Sequence, residues 1–563
     1  MNMKVLTISL MAAGMVFFVS CKQDATKMRA DFDRFISNYD SVIVPLSKEM
    51  NLAQWEASLS GKTEDYDRYS KLKKRYVMFH TDREAFKFLE RVKTSGVIDD
   101  SVKQRLLQVL YLTYLSYQAD STLQKEIIEL ESTIEQKYST YRAIINDSSY
   151  TDNDIENILK NSTDNTQLQA AWEAHKRIGP VVAGDIITLV KKRNALARQL
   201  GFANFHEMSL KLNDQDPNDI EKLFDELDRL TAQGFAKAKA EIDQFLARRY
   251  KIAPNQLMPW HYQNRFFQEA PNIYPVDLDK YYKGQDLEKI TSQFYQSIGL
   301  PIDDLLAKSD LYEKPGKNQH AFCTDIDNEG DVRVLCNIKP NEQWMGTMLH
   351  EFGHAVYDKY IDRSLPFVLR QPAHIFTTEA VAMLFGRLSK NPQWMVDALK
   401  ISKTEAKSIS ESCYNTLRLE QLVFSRWAQV MYRFEKSMYE NPDQDLNALW
   451  WKLVEKYQLI KKPLGRNEPD WATKIHIATV PCYYHNYLLG ELLASQLHYY
   501  ICNHVLNDTT DIRRISYYGH PEVGKFLQEK VFKPGMRYPW NEMIEKATGE
   551  KLTVKYYARQ FVE

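Results

Sequence analysis

Four residues in the middle of the chain have the types and spacing of a metal-dependent hydrolytic site. His350 and His354 lie four residues apart in H-E-F-G-H, so a helix would turn both imidazoles towards one point. Glu351 would lie beside a metal ion held there and could take a proton from a bound water molecule. Glu379 lies far enough beyond His354 for a loop and a return to the ion. The sequence therefore predicts one Zn²⁺ ion on His350, His354 and Glu379, with Glu351 as the general base.

The segment around the two histidines has the pattern of an amphipathic helix. Asn341 can cap a helix after Pro340. Apolar residues then recur at steps of three and four, at Met345, Met348, Leu349, Phe352 and Val356. An H-E-x-x-H string also occurs by chance on surface helices that carry two incidental histidines. The strong apolar face and the availability of a third ligand argue against that alternative.

A second helix is predicted to carry the third ligand. After Pro372 the chain reads A-H-I-F-T-T-E-A-V-A-M-L-F-G-R-L, which is again amphipathic. We expect Thr377 or Thr378 to cap this helix and Glu379 to lie in its first turn. His374 is a weaker candidate for a metal ligand and is otherwise a loop residue.

Composition and periodicity favour a large, mainly α-helical protein. Of the 563 residues, 44% are hydrophobic and 26% charged, and glycine and proline number only 20 each. The net charge of −1 gives no reason to expect a nucleic-acid partner. Helical patterns cover residues 103–118, 120–147, 216–249, 404–440 and 443–459, whereas the only clear strand pattern is a hairpin at 320–338. We expect residues 21–563 to form one helical domain, with two subdomains around a deep cleft that the hairpin lines.

The N-terminus has the pattern of an export signal. Lys4 precedes an apolar stretch over residues 5–19 that ends at Ser20 and Cys21. This is similar to a bacterial lipoprotein signal over residues 1–20, after which Cys21 would carry the lipid. The alternatives are an ordinary cleaved signal or a single membrane anchor. We expect an exported lipoprotein, periplasmic or associated with the outer membrane, that contacts the membrane only through its lipid.

Export would permit disulfide bonds. Cys323 and Cys336 flank a predicted turn near Glu329 and Gly330, and a symmetric hairpin would place the two cysteines opposite each other. The pair is therefore either a disulfide or two buried thiols.

Four stretches give the chain a resemblance to the angiotensin-converting enzyme family, the peptidyl-dipeptidase branch of the zinc peptidases. The first is H-E-F-G-H-A-V-Y followed by S-L-P-F-V-L-R-Q-P-A-H-I-F-T-T-E-A. The second is His320-Ala321, thirty residues before His350. The third and fourth are W-W-K-L-V-E-K-Y-Q and K-I-H-I-A-T-V-P-C-Y-Y-H-N-Y. The resemblance covers about residues 258–500.

The resemblance implies a role for each matching position. His476 and Tyr487 would donate hydrogen bonds to the oxyanion of the tetrahedral intermediate. Lys474 and Tyr484 would hold the C-terminal carboxylate of a peptide. The side chain of His320 and the backbone of Ala321 would align the substrate as an added strand. Gln263, in M-P-W-H-Y-Q, would complete the carboxylate pocket.

The sequence also departs from the family pattern. The fourth stretch can be aligned with the family's P-Y-x-x-Y segment in two ways. Alignment on Tyr487 places Tyr484 at the first tyrosine position and keeps the Tyr-x-x-Tyr spacing. Alignment on Pro481 instead places Cys482 and His485 at the two tyrosine positions. Asn486 stands where the animal enzymes carry a chloride-linked arginine. Met383 stands where an acidic partner of a ligand histidine often follows the glutamate, so another group must orient that imidazole.

These residues predict a zinc metallopeptidase that acts on oligopeptides as a monomer, and the resemblance implies that it releases C-terminal dipeptides. An oligoendopeptidase or a carboxypeptidase of the same superfamily is the nearest alternative, because G-E-L-L-A-S-Q after Tyr487 is similar to those relatives. The alternative from another class is a lipoprotein that binds peptide or zinc without catalysis. The presence of Glu351 argues against it, since holding zinc does not require that carboxylate.

Overall fold

The computed structural model describes residues 4–562, and it describes side chains from residue 24 onward. The predicted lipidation site at Cys21 and the whole signal segment over residues 1–20 therefore lie outside the residues whose side chains are described. The prediction of a mainly α-helical protein is confirmed. Within the described range, the strands form two antiparallel pairs. From residue 24 onward, none of the helices combines the length and the apolar character needed to span a bilayer.

The first half of the chain is a succession of helices with one small hairpin. The helices are α1 (Lys4–Ser60), α2 (Thr63–His80), α3 (Arg83–Ser95), α4 (Ser101–Ser116), α5 (Ser121–Thr140), α6 (Asp152–Asn161), α7 (Asn165–Lys176), α8 (Ile178–Gln199), α9 (Phe205–Leu212), α10 (Pro217–Tyr250), α11 (Asp279–Tyr282), α12 (Leu287–Ser297) and α13 (Asp303–Leu306). Strands β1 (Ala143–Ile145) and β2 (Ser148–Tyr150) pair between α5 and α6.

The second half holds the metal helix and its neighbours. Strands β3 (Phe322–Asp325) and β4 (Val332–Leu335) pair immediately before it. The helices are α14 (Glu342–Lys359), α15 (Ile375–Gly386), α16 (Pro392–Trp394), α17 (Lys403–Glu440), α18 (Leu446–Gln458), α19 (His476–Thr479), α20 (His485–Tyr500), α21 (Pro521–Leu527), α22 (Trp540–Thr548) and α23 (Lys555–Phe561).

Helix starts follow the capping residues in the sequence. The carboxylate of Asp216 accepts from the backbone N–H groups of Asn218 and Asp219, and Pro217 occupies the first position of α10. The predicted helix over 120–147 is too long, because α5 ends at Thr140. Asn146 and Asp147 both adopt positive φ, which fits the two-residue turn of the β1–β2 hairpin.

Buried apolar residues form one continuous core that runs from Phe32 in α1 to Phe561 in α23. The prediction of one domain with two subdomains stays a prediction. A second, small apolar cluster joins Trp55 of α1 to Ile326 and Leu335 of the β3–β4 hairpin. The long N-terminal helix therefore packs on the hairpin that precedes the metal helix.

Candidate metal centre and substrate site

Helix α14 places its two histidines by a firm cap and a buried face. The side chain of Asn341 accepts a hydrogen bond of 2.9 Å from the N–H of Trp344, as the sequence predicts. The predicted apolar residues are all buried and fix the rotation of the helix in the core: Met345, Met348, Leu349, Phe352 and Val356. His350 and His354 consequently point out of the opposite side, towards α15.

Two glycines allow the neighbouring helices to come close to this site. A Cβ atom on Gly353 would lie 2.8 Å from Cα of Ala382, so α14 and α15 meet backbone to backbone between the two histidines and Glu379. A Cβ atom on Gly490 would lie 3.3 Å from Cβ of Glu379, so α20 supports the glutamate from behind. The three helices thereby hold the three side chains on rigid backbone.

The ligand atoms converge as a metal ion would require. Nε2 of His350 lies 3.2 Å from Nε2 of His354 and 3.6 Å from Oε2 of Glu379, and Nε2 of His354 lies 3.9 Å from Oε1 of Glu379. Two ligand atoms that bind a tetrahedral zinc ion at the usual bond lengths lie about 3.4 Å from each other. Of all the described residues, these three form the group that could hold a metal ion.

Electrostatics at this position favour a cation. Burial lowers the pKa of His350 to about 4, and burial together with His350 lowers the pKa of His354 to about 3, so both rings are neutral at neutral pH. Burial raises the pKa of Glu379 to about 7. Burial and the charge of Glu379 raise the pKa of Glu351 to about 8. Two carboxyl groups and two neutral imidazoles without a cation among them are the donor set that suits a divalent ion.

The group that orients His354 was missed by the sequence reasoning. Nδ1 of His354 lies 2.7 Å from the hydroxyl oxygen of Thr378, which directly precedes the candidate ligand Glu379. Because Nε2 faces the metal position, Nδ1 carries the proton and donates it to this oxygen. Thr378 therefore orients the ring of His354.

The start of α15 differs from the prediction. His374 is the capping residue, since its Nδ1 accepts from the N–H of Phe376 at 3.3 Å. Its Nε2 lies 2.9 Å from the carbonyl oxygen of Asn213. The ring is therefore occupied by structural contacts and is not a metal ligand. The prediction that Thr377 or Thr378 caps the helix is wrong, and Glu379 lies in the second turn.

Four of the residues expected at the substrate site, Lys474, His476, Tyr484 and Tyr487, form one cluster. The ring of Tyr484 lies 5.4 Å from the ring of His476 and 5.4 Å from the ring of Tyr487. The ammonium group of Lys474 lies 5.5 Å from the centre of the Tyr484 ring. Nδ1 of His476 is buried and has no hydrogen-bond partner among the described residues. Within the described range, this side of the ring is therefore not tied to a neighbouring residue.

The cluster is connected to the metal position. The charge of Glu379, after burial, raises the pKa of Tyr487, which places that hydroxyl group near the candidate ligand. Cys482 and His485, which the alternative alignment selects, lie elsewhere. The N–H of Cys482 donates to Glu435, and the ring of His485 contacts Gln215 at 2.8 Å. The geometry thus favours the alignment that selects Tyr484.

Gln268, five residues after the predicted Gln263, contacts Lys474, the residue expected to hold the C-terminal carboxylate of a peptide. The ammonium group of Lys474 donates a hydrogen bond of 2.6 Å to Oε1 of Gln268. Gln263 has a left-handed backbone (φ 60°) and lies beside Tyr250. Gln268 therefore takes the place that was predicted for Gln263, because the turn at Gln263 directs its side chain elsewhere.

The β3–β4 hairpin lies beside the metal helix, but its register differs from the prediction. Cys323 pairs with Val334, so Cys336 faces position 321 and the prediction of opposed cysteines is wrong. Both cysteines are free, and Cys336 is buried. Asp325 and Asp327 accept backbone N–H bonds within the loop, which centres the turn one residue earlier than expected.

His320 and Ala321 immediately precede strand β3, whereas the sequence predicts that they belong to the hairpin strand. His320 is exposed, and its N–H donates to the side chain of Asn318 at 2.9 Å. After burial, the charge of Glu351 helps to raise the pKa of both Cys323 and Cys336. The β3–β4 hairpin therefore borders the metal helix near the candidate base.

A mainly helical fold with H-E-x-x-H on one helix and a glutamate on the next defines the class of helical metallopeptidases. The sequence profile described as angiotensin-converting enzyme matches residues 26–558, nearly the whole chain. The chain therefore belongs to the angiotensin-converting enzyme family of peptidases.

Curated relatives carry the same name at low identity. Angiotensin-converting enzyme of Mus musculus is 23% identical over 567 residues, which cover 92% of this chain and 41% of the mouse protein. The enzyme of Haematobia irritans exigua is 23% identical over 77% of both chains. The enzyme of Theromyzon tessulatum is 24% identical over 53% of this chain and 50% of its own length. The chain thus spans half or less of two of these three relatives.

Proposed function

We propose that the protein is a zinc-dependent peptidase that removes dipeptides from the C-terminus of oligopeptides. The observation that supports this most strongly is the convergence of His350, His354 and Glu379 beside Glu351. When bound, Zn²⁺ supplies Lewis-acid activation of the attacking water and of the peptide carbonyl. His350, His354 and Glu379 would hold the ion and leave one position open for these groups.

The residues of the chain supply the remaining chemistry. The carboxylate of Glu351 takes a proton from the attacking water and later passes it to the nitrogen of the leaving amine. The imidazole of His476 and the hydroxyl group of Tyr487 donate hydrogen bonds to the oxygen on which negative charge develops. Both groups are pre-positioned in a partly buried cluster, where such bonds are stronger than in water.

The preference for a free C-terminus rests on Lys474. Its ammonium group is buried and lies among Gln268, Tyr484 and His476, so it can pair with a carboxylate that enters the cluster. A peptide held there and aligned along His320 and Ala321 would present an internal bond to Glu351. The same anchor would exclude peptides whose C-terminus is amidated.

The test uses an internally quenched oligopeptide with a free or an amidated C-terminus, zinc-loaded protein lacking residues 1–21, and mass spectrometry of the products. We expect dipeptide release from the free peptide only. Glu351→Gln should retain zinc and lose about 100-fold or more of kcat, whereas the exposed control Glu545→Gln should keep parental activity.

Each other outcome points to a different function. Internal cuts in both peptides would keep the peptidase but replace the carboxylate anchor with an endopeptidase cleft. Release of single amino acids would indicate a carboxypeptidase. A zinc-loaded protein that cleaves no member of a broad peptide set would be a binding protein.

We also propose that the protein is an exported lipoprotein anchored by Cys21, on the pattern of residues 1–21. Metabolic labelling with a radioactive fatty acid tests this in the host bacterium. The parent should become labelled and sediment with membranes, and Cys21→Ser should do neither. Equal labelling of both proteins would disprove the anchor.

A further inference from the structure

A cavity of about 550 Å³ lies behind the metal-binding helices and shares no lining residue with the metal centre. Its walls come from the end of α15, the first turns of α17, the segment 511–517 and the end of α23. The floor is apolar and includes Leu384 and Phe561, both buried. A cavity of this volume matches the usual size of a small-molecule site.

The charges around this cavity are strongly unbalanced. Two acidic residues, Glu411 and Asp511, face six basic ones among the lining residues: Arg387, Lys390, Lys403, Lys407, Arg513 and Arg514. Glu420 and Glu491, which lie outside the lining, pair with Lys390 and Arg387, so the excess positive charge rests on Lys403, Lys407, Arg513 and Arg514. A concave surface with a cationic rim and an apolar floor attracts organic anions.

Several of the cations lack a full complement of partners. Lys403 and Lys407 lie one turn apart at the exposed rim, and within the described range neither forms an ion pair. Arg513 and Arg514 share the single carboxylate of Asp511. An anion with two or more charges would neutralise this excess, and the Tyr414 ring beside Arg513 offers an apolar contact.

The deepest cation connects the cavity to the metal centre. Arg387 forms an ion pair with Glu491, and its Nε atom is buried without a hydrogen-bond partner among the described residues. Arg387 follows Gly386, where a Cβ atom would lie 3.3 Å from Cβ of His350. Glu491 follows Gly490, which packs on Glu379. The ion pair therefore joins the two backbone segments that lie against two of the candidate metal ligands.

We propose that this cavity binds small organic anions with two or more negative charges, either polycarboxylates or phosphate esters, and that the bound anion changes peptidase activity through Arg387. An anion that attracts Arg387 would weaken its pair with Glu491 and shift the segments behind His350 and Glu379. The binding step is independent of the proposed catalytic function, whereas the effect on activity rests on it.

The test measures binding by isothermal titration calorimetry on zinc-loaded protein at constant ionic strength. The probes are fructose 1,6-bisphosphate and benzene-1,3,5-tricarboxylate, which represent the two ligand classes and chelate zinc weakly. The double variant Lys403→Gln and Lys407→Gln should bind about five- to ten-fold more weakly, as expected for the loss of two exposed ion pairs. The exposed control Lys452→Gln should bind like the parent. The probe that binds more tightly identifies the ligand class.

The same probes are then added to a peptide cleavage assay. We expect a saturating anion to change kcat/KM about five-fold in the parent and in Lys452→Gln, with the double variant requiring more anion for the same effect. Absence of heat with both probes, or equal affinity in all three proteins, would overturn the site. Binding without any change in kcat/KM would overturn the regulatory part. If the protein cleaves no peptide at all, the calorimetry still decides the binding site.

Discussion

The hydroxyl oxygen of Thr378 lies 2.7 Å from Nδ1 of His354, on the side of the ring that faces away from the metal position. A histidine that binds a metal commonly donates its second N–H to a fixed acceptor, which sets the tautomer and the ring orientation. Met383 offers only a thioether, and its sulfur packs at Gly490. Thr378 is therefore the positioning residue for His354.

Replacing this hydroxyl group should weaken metal binding. We expect Thr378→Val to lower the zinc affinity about 10- to 100-fold, because Nδ1–H of His354 loses its acceptor and the ring loses its fixed orientation. Thr378→Ser keeps the oxygen and should bind like the parent. Competition with a chromophoric chelator measures the affinity, and a thermal melt of the apo proteins checks that both variants fold. Equal zinc affinity in Thr378→Val and the parent would show that another group orients the ring.

The sequence predicts those parts of the site that depend on local helical geometry. Histidines four residues apart share a face of any helix, and Asn341 caps wherever the following N–H groups are free. The pairing of His350 and His354 therefore required no knowledge of the rest of the fold. The closeness of Lys474 to Tyr484 depends on tertiary packing, and only the family resemblance could predict it.

Features set by loops and competing caps could not be predicted in this way. The register of the β3–β4 hairpin depends on which loop carboxylates accept backbone N–H groups, and Asp325 and Asp327 settle it one residue away from a symmetric turn. His374 caps α15 with its ring, Thr377 accepts the N–H of His374 in return, and Asn213, distant in sequence, also holds that ring. Such contacts between distant segments leave little trace in one sequence.

Gln268 should matter for substrate anchoring, and Gln263 should not. Oε1 of Gln268 accepts from the Lys474 ammonium group at 2.6 Å, so Gln268→Leu leaves a buried cation without that partner and free to move. We expect KM for a peptide with a free C-terminus to rise about ten-fold, which corresponds to about 1.4 kcal/mol. Steady-state kinetics with kcat and KM determined separately measures the effect.

The matched control is Gln263→Leu, which keeps the residue type but lies beside Tyr250. It should leave KM within about two-fold of the parent, as is usual for a change outside the contacts of a bound group. The opposite ranking of the two variants would restore Gln263 to the carboxylate pocket.

Cleavage should depend on the protonation of Lys474. Burial, and next the nearby Arg265, lower the pKa of Lys474 to about 7, against the opposing influence of Glu269 and Glu156. Above this pH the amine of the free protein is neutral and cannot pair with a carboxylate. We therefore expect kcat/KM for a peptide with a free C-terminus to fall as the pH rises through about 7.

Lys474→Arg isolates this effect from other titrating groups, including His476, whose pKa burial and Lys474 lower to about 4. Arginine stays charged throughout the range, so the variant should lose the part of the alkaline decline that belongs to Lys474. Profiles of kcat/KM between about pH 5.5 and 9 for both proteins measure the difference, a range that brackets the lowered lysine pKa. Superimposable alkaline limbs would assign the decline to a different group.

The close approach of α14 and α15 should not tolerate a methyl group at Gly353. A Cβ atom there would lie 2.8 Å from Cα and 3.3 Å from N of Ala382, and a backbone cannot move aside as a flexible side chain can. We expect Gly353→Ala to lower the free energy of unfolding by about 1–3 kcal/mol through overpacking. The helices should also separate between His354 and Glu379, so zinc affinity should fall as well.

Gly184→Ala is the matched control, because Gly184 is exposed within α8 and a Cβ atom there meets nothing within 4 Å. Alanine is the better helix former, so this variant should be more stable by about 0.5–1 kcal/mol and should bind zinc normally. Urea unfolding of the apo proteins measures stability, and chelator competition measures affinity. If Gly353→Ala gained stability as Gly184→Ala should, the two metal-binding helices would have room between them, and the rigid spacing of the ligands would need another cause.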